Sequence, residues 1–306
     1  MGDRVLGIVP YAEGPVWCDD GTVVVCCTAT GDLYRLPDGG GDVSVFARLQ
    51  GGANGAAPAA GGGIVVCQNG GFDFSELGMP DPSLFRPVSP GLQYVAPDGT
   101  ARYLAVGGFS APNDVVVGAD NAIYFTDPPR AQVAIVNGKM MHVLPSERRG
   151  RVWRFGPDGL LSLFADDLVF PNGIGFDNDG HVVIVEEQGL MRLHADGGRE
   201  WVIQDLGPGG GDGFCVDVAG NFYVAGTRDA CVRVVDPAGR IVGVLSTPAA
   251  DPPQHATNCC FGDSDLRTLF CTEMPGRVVA FGGMAQAGRP VAAWAPFETQ
   301  SPARAE

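Results

Sequence analysis

The sequence predicts an all-β fold, a six-bladed β-propeller, and three observations predict it. A polar residue opens the same short pattern six times, at Glu13, Asn54, Asn113, Asn172, Asp212 and Asn258. Eight positions after each stands a turn position, at Gly21, Gly62, Asn121, Gly180, Gly220 and, imperfectly, Leu266. Ten to twelve positions after each stands an apolar triplet: VVV, IVV, IYF, VVI, FYV and TLF. The anchors are 41, 59, 59, 40 and 46 residues apart. Self-similarity at about 40–50 residues with strands inside every unit is the signature of propeller blades.

Taken in order, DRVLGIV at 3–9 is a short apolar segment ahead of the first anchor. It is expected to complete the last blade as a strand, which would remove two open sheet edges at once. Blade one, from Glu13 to about residue 53, reads as VVVCCTA, the turn TGD, LYRL, the loop DGGGD and VSVFARL. Blade two opens at Asn54 with a Gly- and Ala-rich stretch that makes a weak strand pattern, followed by the clear GGGIVVCQN. Blades two and three span 59 residues against 41 for blade one, an excess of 18 each. The excess is assigned to 70–91 and 128–150, read either as walls over the channel mouth or as packing on the outside. NDVVVGADNAIYFTDP and NGIGFDNDGHVVIVEE are the best-formed repeats, of blades three and four. Blade five runs from Asp212, blade six from Asn258, and the tail after about residue 297 is expected to be unstructured. The whole of 1–306 is expected to form one domain.

Composition narrows the partners. The chain of 306 residues carries 35 acidic and 20 basic side chains, a net charge of −15, which argues against nucleic acid or an anionic membrane. MGDRVLGIVPYAEGPVW lacks a cationic segment followed by an apolar one, and no apolar run approaches a membrane span. The nine cysteines are odd in number and lack metal-site spacing, so a reduced, cytoplasmic protein is expected. The oligomeric state is left open.

The identity of the anchors points to chemistry. Innermost strands start at one rim of a propeller's channel, so equivalent anchors converge on a ring. Here the ring would hold two carboxylates and four amides and no cation. Such oxygens suit Ca²⁺, which takes about six to eight of them, although Mg²⁺, Mn²⁺ or Zn²⁺ can use the same atoms. The plainer reading makes each Asn or Asp an Asx-turn at a loop end; it explains six matches in one frame poorly, and Glu13 not at all. The four histidines show no HExxH spacing, although His255 lies close enough to Asn258 to reach the rim. No GxSxG elbow occurs. GPGGGDG at 207–213 leads into a strand and reads as a loop that lets Asp212 approach a metal closely.

At this point the residues resemble a known family. EGPVW at 13–17, PNDVVVGADNAIYFTDP at 112–128, PNGIGF at 171–176, GDGFCVDVAGNFYVA at 211–225 and TNCCFG at 257–262 are similar to motifs of the senescence marker protein/gluconolactonase/luciferin-regenerating-enzyme-like family. The resemblance spans nearly the whole chain. It implies a six-bladed propeller with one catalytic divalent cation in a central channel. By resemblance Glu13, Asn172 and Asp212 would be ligands, Asn113 a further ligand or a substrate contact, and Asp212 also the general base. Asn54 and Asn258 would stand behind the ligands or face the substrate. One departure matters: sugar lactonases of the family carry a basic residue and an Asn shortly before PND, where this chain has GGFSAPND. With Phe109, Phe170 and Phe214 near the anchors, a less hydroxylated small-molecule substrate is expected.

The expected activity is metal-dependent hydrolysis of a lactone or related cyclic ester, with the cation polarising the carbonyl and Asp212 taking a proton from water. Phosphotriester cleavage, non-hydrolytic chemistry on the same ring, and a non-catalytic binding propeller are the alternatives.

Overall fold

In the computed structural model, six four-stranded antiparallel sheets stand in a ring as a six-bladed β-propeller. The structure describes all residues except 1–2, 73–85, 131, 137–138, 144–148, 229, 252, 298–301 and 305–306, with the backbone alone for 132–136 and 139–143. Blade one is β2 (Ala12–Trp17), β3 (Thr22–Cys27), β4 (Asp32–Pro37) and β5 (Ser44–Arg48). Blade two is β6 (Ala53–Ala59), β7 (Gly63–Gln68), β8 (Gly91–Val95) and β9 (Ala101–Val106). Blade three is β10 (Val115–Val117), β11 (Ile123–Asp127), β14 (Gly150–Phe155) and β15 (Leu161–Leu168). A two-stranded hairpin, β12 (Gln132–Val136) with β13 (Lys139–Val143), is inserted within it. Blade four is β16 (Pro171–Phe176), β17 (Val182–Glu186), β18 (Gly189–Leu193) and β19 (Arg199–Ile203). Blade five is β20 (Phe214–Val216), β21 (Phe222–Ala225), β22 (Cys231–Val235) and β23 (Ile241–Ser246). Blade six is β24 (His255–Gly262), β25 (Thr268–Met274), β26 (Arg277–Gly282) and, from the other end of the chain, β1 (Arg4–Gly7).

The apolar triplets lie on the second strand of each blade, which neighbouring blades cover on both faces. They are therefore continuous apolar runs rather than alternating ones; Val23, Val24 and Val25 are all fully buried. The core is divided into inter-blade layers. Val24, Leu33, Ile64 and Val66 fill the space between blades one and two, and Ile174, Ile184 and Val152 that between blades three and four. The outer strand β23 is mostly exposed, as an edge allows. At the hairpin between first and second strands, all six turn positions take the left-handed region, with φ of 79° at Gly21, 86° at Gly62, 63° at Asn121, 83° at Gly180, 87° at Gly220 and 56° at Leu266. The sixth repeat thus keeps the frame in geometry although leucine is a poor residue for it.

The N-terminal segment closes the ring: β1 pairs antiparallel with β26, Arg4 opposite Ala280 and Val5 opposite Val279. At the other end, the expectation of an unstructured tail is corrected. Ala303 forms a parallel bridge with Ala105, donating its N–H to Leu104 O at 2.9 Å and accepting from Val106 N at 2.7 Å. Upstream of it, Trp294 is fully buried in the layer between blades two and three, edge-on to Tyr94 at 5.4 Å. Arg289 donates to the carbonyls of Phe176 and Asp177, and Ala295 pairs with the Asn121 side chain. The reason is edge chemistry: an outer strand such as β9 has free N–H and C=O groups, and the C-terminal segment satisfies them.

Candidate active site

The anchors start the inner strands, and glycine lets those strands approach one another. Glu13, Asn54, Asn172 and Asp212 are each followed by glycine. A Cβ on Gly14 would stand 2.3 Å from Asn54 O, one on Gly173 2.4 Å from Asp212 O, and one on Gly213 2.0 Å from the Asn258 side chain. Gly14 also has φ of 47°. The inner strands are stitched across blades: Gly55 N donates to Asn113 O at 2.7 Å, and the Thr126 hydroxyl to Asn172 O at 2.7 Å. An acceptor side chain fourteen positions after three of the anchors holds the loop leading into the same blade's inner strand. Gln68 Oε1 accepts Gly52 N at 2.6 Å, Asp127 accepts Ser110 N and Ala111 N at 2.9 and 2.8 Å, and Glu186 accepts Val169 N and Phe170 N at 2.6 and 3.1 Å. Sequence reading missed this second periodicity, although 68, 127 and 186 share the 59-residue spacing of the anchors.

A cavity of about 160 Å³ opens over the anchors. Five of them line it: Glu13, Asn54, Asn113, Asn172 and Asp212. Asn258 lies beneath, where its side-chain amide hydrogen-bonds both Glu13 and Asp114 while its Oδ1 accepts Cys259 N at 2.8 Å. Phe170 lines the cavity as expected. Phe109 and Phe214 do not. Phe109 packs edge-on to Phe125 and Trp153 at 5.5 and 5.6 Å in an inter-blade core, and the Phe214 ring lies against Gly175 and Phe222. The absence of side chains at Gly173 and Gly175 makes room for the Phe214 ring. The apolar wall is instead built by Phe72, Phe170, Pro128, Pro129 and Met274, with His255 at the exposed rim. Of the insertions, 73–85 and 144–148 lie outside the described residues, so only their margins, at Phe72 and at Pro128 and Pro129, are placed against the cavity.

The principal addition to the sequence-derived set is Asp114. It is 5 % exposed, accepts Val115 N at 2.9 Å and Ile174 N at 3.3 Å, and interacts electrostatically with Glu13 and Asp212. It stands in the PND motif beside an anchor, so the six-residue frame concealed it. Burial raises all three carboxyls. Glu13 is pushed well above the usual range by burial and then by the charges of Asp212 and Asp114. Asp212 rises to about 7 through burial and Asp114, with the Asn172 amide opposing. Asp114 rises to about 6 through burial, opposed by the Val115 and Ile174 N–H groups. No Lys or Arg lines the cavity among the described residues.

These groups fit a divalent cation. The donor set is all oxygen, as a hard cation requires. Asn172 hydrogen-bonds Asp212 with its side chain, yet its Oδ1 is buried with no partner among the described residues. Three clustered acids with no paired Lys or Arg among the described residues, and an orphaned carbonyl oxygen, are what a cation would satisfy. Asp177, Asp179 and His181 also bring ligand atoms within 4.8 Å, but at the opposite end of β16, where Asp177 is already paired with Arg192 at 2.6 Å.

Several known proteins are similar. The gluconolactonase of Zymomonas mobilis is 26% identical over 288 residues, covering 86% of this chain and 76% of its own. The pentonolactonase XacC of Haloferax volcanii is 28% identical over 144 residues, 44% of this chain and 48% of its own. Among solved structures, a gluconolactonase of Xanthomonas campestris superposes with a TM-score of 0.69 at 26% identity, covering 91% of this chain and 89% of that one. The calcium-binding protein regucalcin of Agrobacterium tumefaciens superposes with a TM-score of 0.74 at 19% identity, covering 96% and 97%, and shares the fold. Residues 11–274 match the model of the SMP-30/gluconolactonase/LRE-like region, and the chain belongs to that family.

Proposed function

We propose that this protein is a divalent-cation-dependent hydrolase that opens a lactone or related cyclic ester. The observation that carries the reading is the cluster of Glu13 and Asp212, with Asp114 against them and Asn172 Oδ1 unpartnered, at a small cavity that no Lys or Arg lines among the described residues. The lactonase names of two relatives support the same class. Glu13, Asn172 and Asp212 would hold the cation, with Asn113 beside them, and oxygen ligands favour Ca²⁺ over softer ions. A bound cation would polarise the ester carbonyl and offset the charge that builds on its oxygen.

The chain's own residues divide the remaining work. Glu13 and Asp114 are each 5 % exposed and are tied to backbone N–H groups and to Asn258. Asp212 is the more accessible carboxylate, half-buried at the cavity wall, with the Asn172 side chain fixing its orientation. It is therefore the group positioned to accept a proton from attacking water. Phe72, Phe170 and Met274 give the ring an apolar wall. The volume fits one small ring, and this wall supports a substrate less hydroxylated than gluconolactone. An acidic, cysteine-containing chain of this kind is read as a cytoplasmic enzyme acting on a small molecule.

Asp212→Asn tests the reading. The amide keeps a ligand oxygen and the side-chain shape but cannot take the proton. Cation binding by calorimetry is expected to survive, with kcat on the best lactone lowered about 10²–10⁴-fold. Full activity in this variant would remove Asp212 from the role of base.

A further inference from the structure

Asn69 lies at the end of the segment Gly63–Gln68, one residue past strand β7, and neither the anchor frame nor the family motifs include it. It lines the cavity and is 1 % exposed. Four contacts fix it. Its N–H donates to Gly52 O at 3.0 Å, its Oδ1 accepts Gly71 N at 2.8 Å, and its carbonyl accepts from Arg130 at 3.1 Å. The fourth is steric. A Cβ on Gly52 would stand 2.1 Å from Asn69 Oδ1, so the absence of a side chain at 52 makes the space for the carboxamide. Gln68 in turn holds Gly52 N and Gly70 N. Against this, Nδ2 is buried and has no hydrogen-bond partner among the described residues.

A buried N–H₂ without an acceptor is costly, and native structures rarely leave one so. Here every other polar atom of the residue is engaged, and the unsatisfied one belongs to a cavity-lining side chain. Arg130 also donates to Gly71 O and stacks on the Phe72 ring at 4.6 Å, which ties the 69–72 loop to the 128–130 loop. The donor and the aromatic wall are thus held as one unit.

We propose that Asn69 is a substrate-positioning residue whose Nδ2 donates to an oxygen substituent on the ring of the bound substrate, while Phe72 packs beside that ring. This rests on the lactone reading and adds the feature that the cleaved ring carries at least one acceptor oxygen outside the ester. It also gives the cavity a polar specificity contact in place of the basic residue and Asn that the segment before Asn113 lacks.

Asn69→Asp keeps the acceptor for Gly71 N and removes the donor, and Asn69→Ala removes both. Binding of two unreactive rings, 3-hydroxytetrahydropyran and tetrahydropyran, is measured by calorimetry on the cation-loaded protein. The wild type is expected to prefer the hydroxylated ring. Both variants are expected to lose about 10-fold in affinity for it, with tetrahydropyran unchanged. With lactones, KM for a hydroxylated ring rises about 10-fold in Asn69→Asp while kcat stays within about 2-fold. Equal affinity of wild type and variants for the hydroxylated ring, equal losses on both rings, or no binding of it by the wild type would each overturn the proposal. Failure of the lactone reading looks different: no lactone is opened with any cation, while the Asn69-dependent preference in binding persists.

Discussion

At the scale of the residue, the site is an electrostatic problem. Glu13 and Asp114 are buried beside the half-buried Asp212, and in the metal-free protein their folded values lie above those of an unfolded chain. Groups raised in this way bind more protons in the folded state. Their stabilising contribution is complete below the ordinary carboxylate range and is lost as pH rises through about 6 for Asp114 and about 7 for Asp212. Asp127, raised to about 6 by burial, acts in the same direction. Chelated protein is therefore expected to melt at a higher temperature at pH 5 than at pH 8, and Ca²⁺ is expected to reverse that slope by stabilising the ionised forms. A melting temperature independent of pH over this range in chelator would contradict the cluster. Two of these acids were legible in the sequence. Glu13 and Asp212 stood at repeat positions, and Glu13 has the wrong chemistry for a turn. Asp114 was not legible, because it sits one residue off the frame and only the fold shows that its charge bears on Glu13 and Asp212.

At the scale of the element, the inner strands decide whether the ring can form. The E-G, N-G and D-G pairs look like turn signals in sequence. In the structure they are packing devices that bring neighbouring strands into contact. Gly173 is the clearest case, since an added Cβ would meet Asp212 O at 2.4 Å and Gly213 Cα at 2.9 Å, both backbone atoms. Gly173→Ala is expected to cost about 1–3 kcal/mol and to weaken cation binding together with stability. Chemical denaturation and calorimetry measure the two, and an unchanged cation affinity would separate strand spacing from the site. Blade periodicity, the turns and the second-strand triplets were legible because each depends on local pattern. The orientation of Phe109 and Phe214 was not, because a ring beside an anchor turns toward the cavity or the core according to inter-blade spacing. For Phe214 the room is made by Gly173 and Gly175 on the neighbouring strand β16.

At the scale of the whole molecule, both termini are used. β1 completes blade six, and the C-terminal segment runs past the hairpin turns of blades five, four and three to reach the edge of blade two. Closure at one end was legible from an apolar segment placed ahead of the first anchor. The C-terminal path was not, because it contains single buried residues such as Trp294 rather than a periodic pattern. Together they hold six blades so that residues far apart in sequence share one floor, and the lactonase reading depends on that floor binding a cation. Its most direct test is turnover of a panel of sugar and alkyl lactones by metal-stripped protein, with Ca²⁺, Mg²⁺, Mn²⁺ and Zn²⁺ added back one at a time. The stripped protein is expected to be inactive, and Ca²⁺ is expected to restore hydrolysis of at least one lactone, with sparsely hydroxylated rings favoured over gluconolactone. Lactone hydrolysis at full rate in the stripped protein, or tight cation binding with no lactone opened, would contradict it.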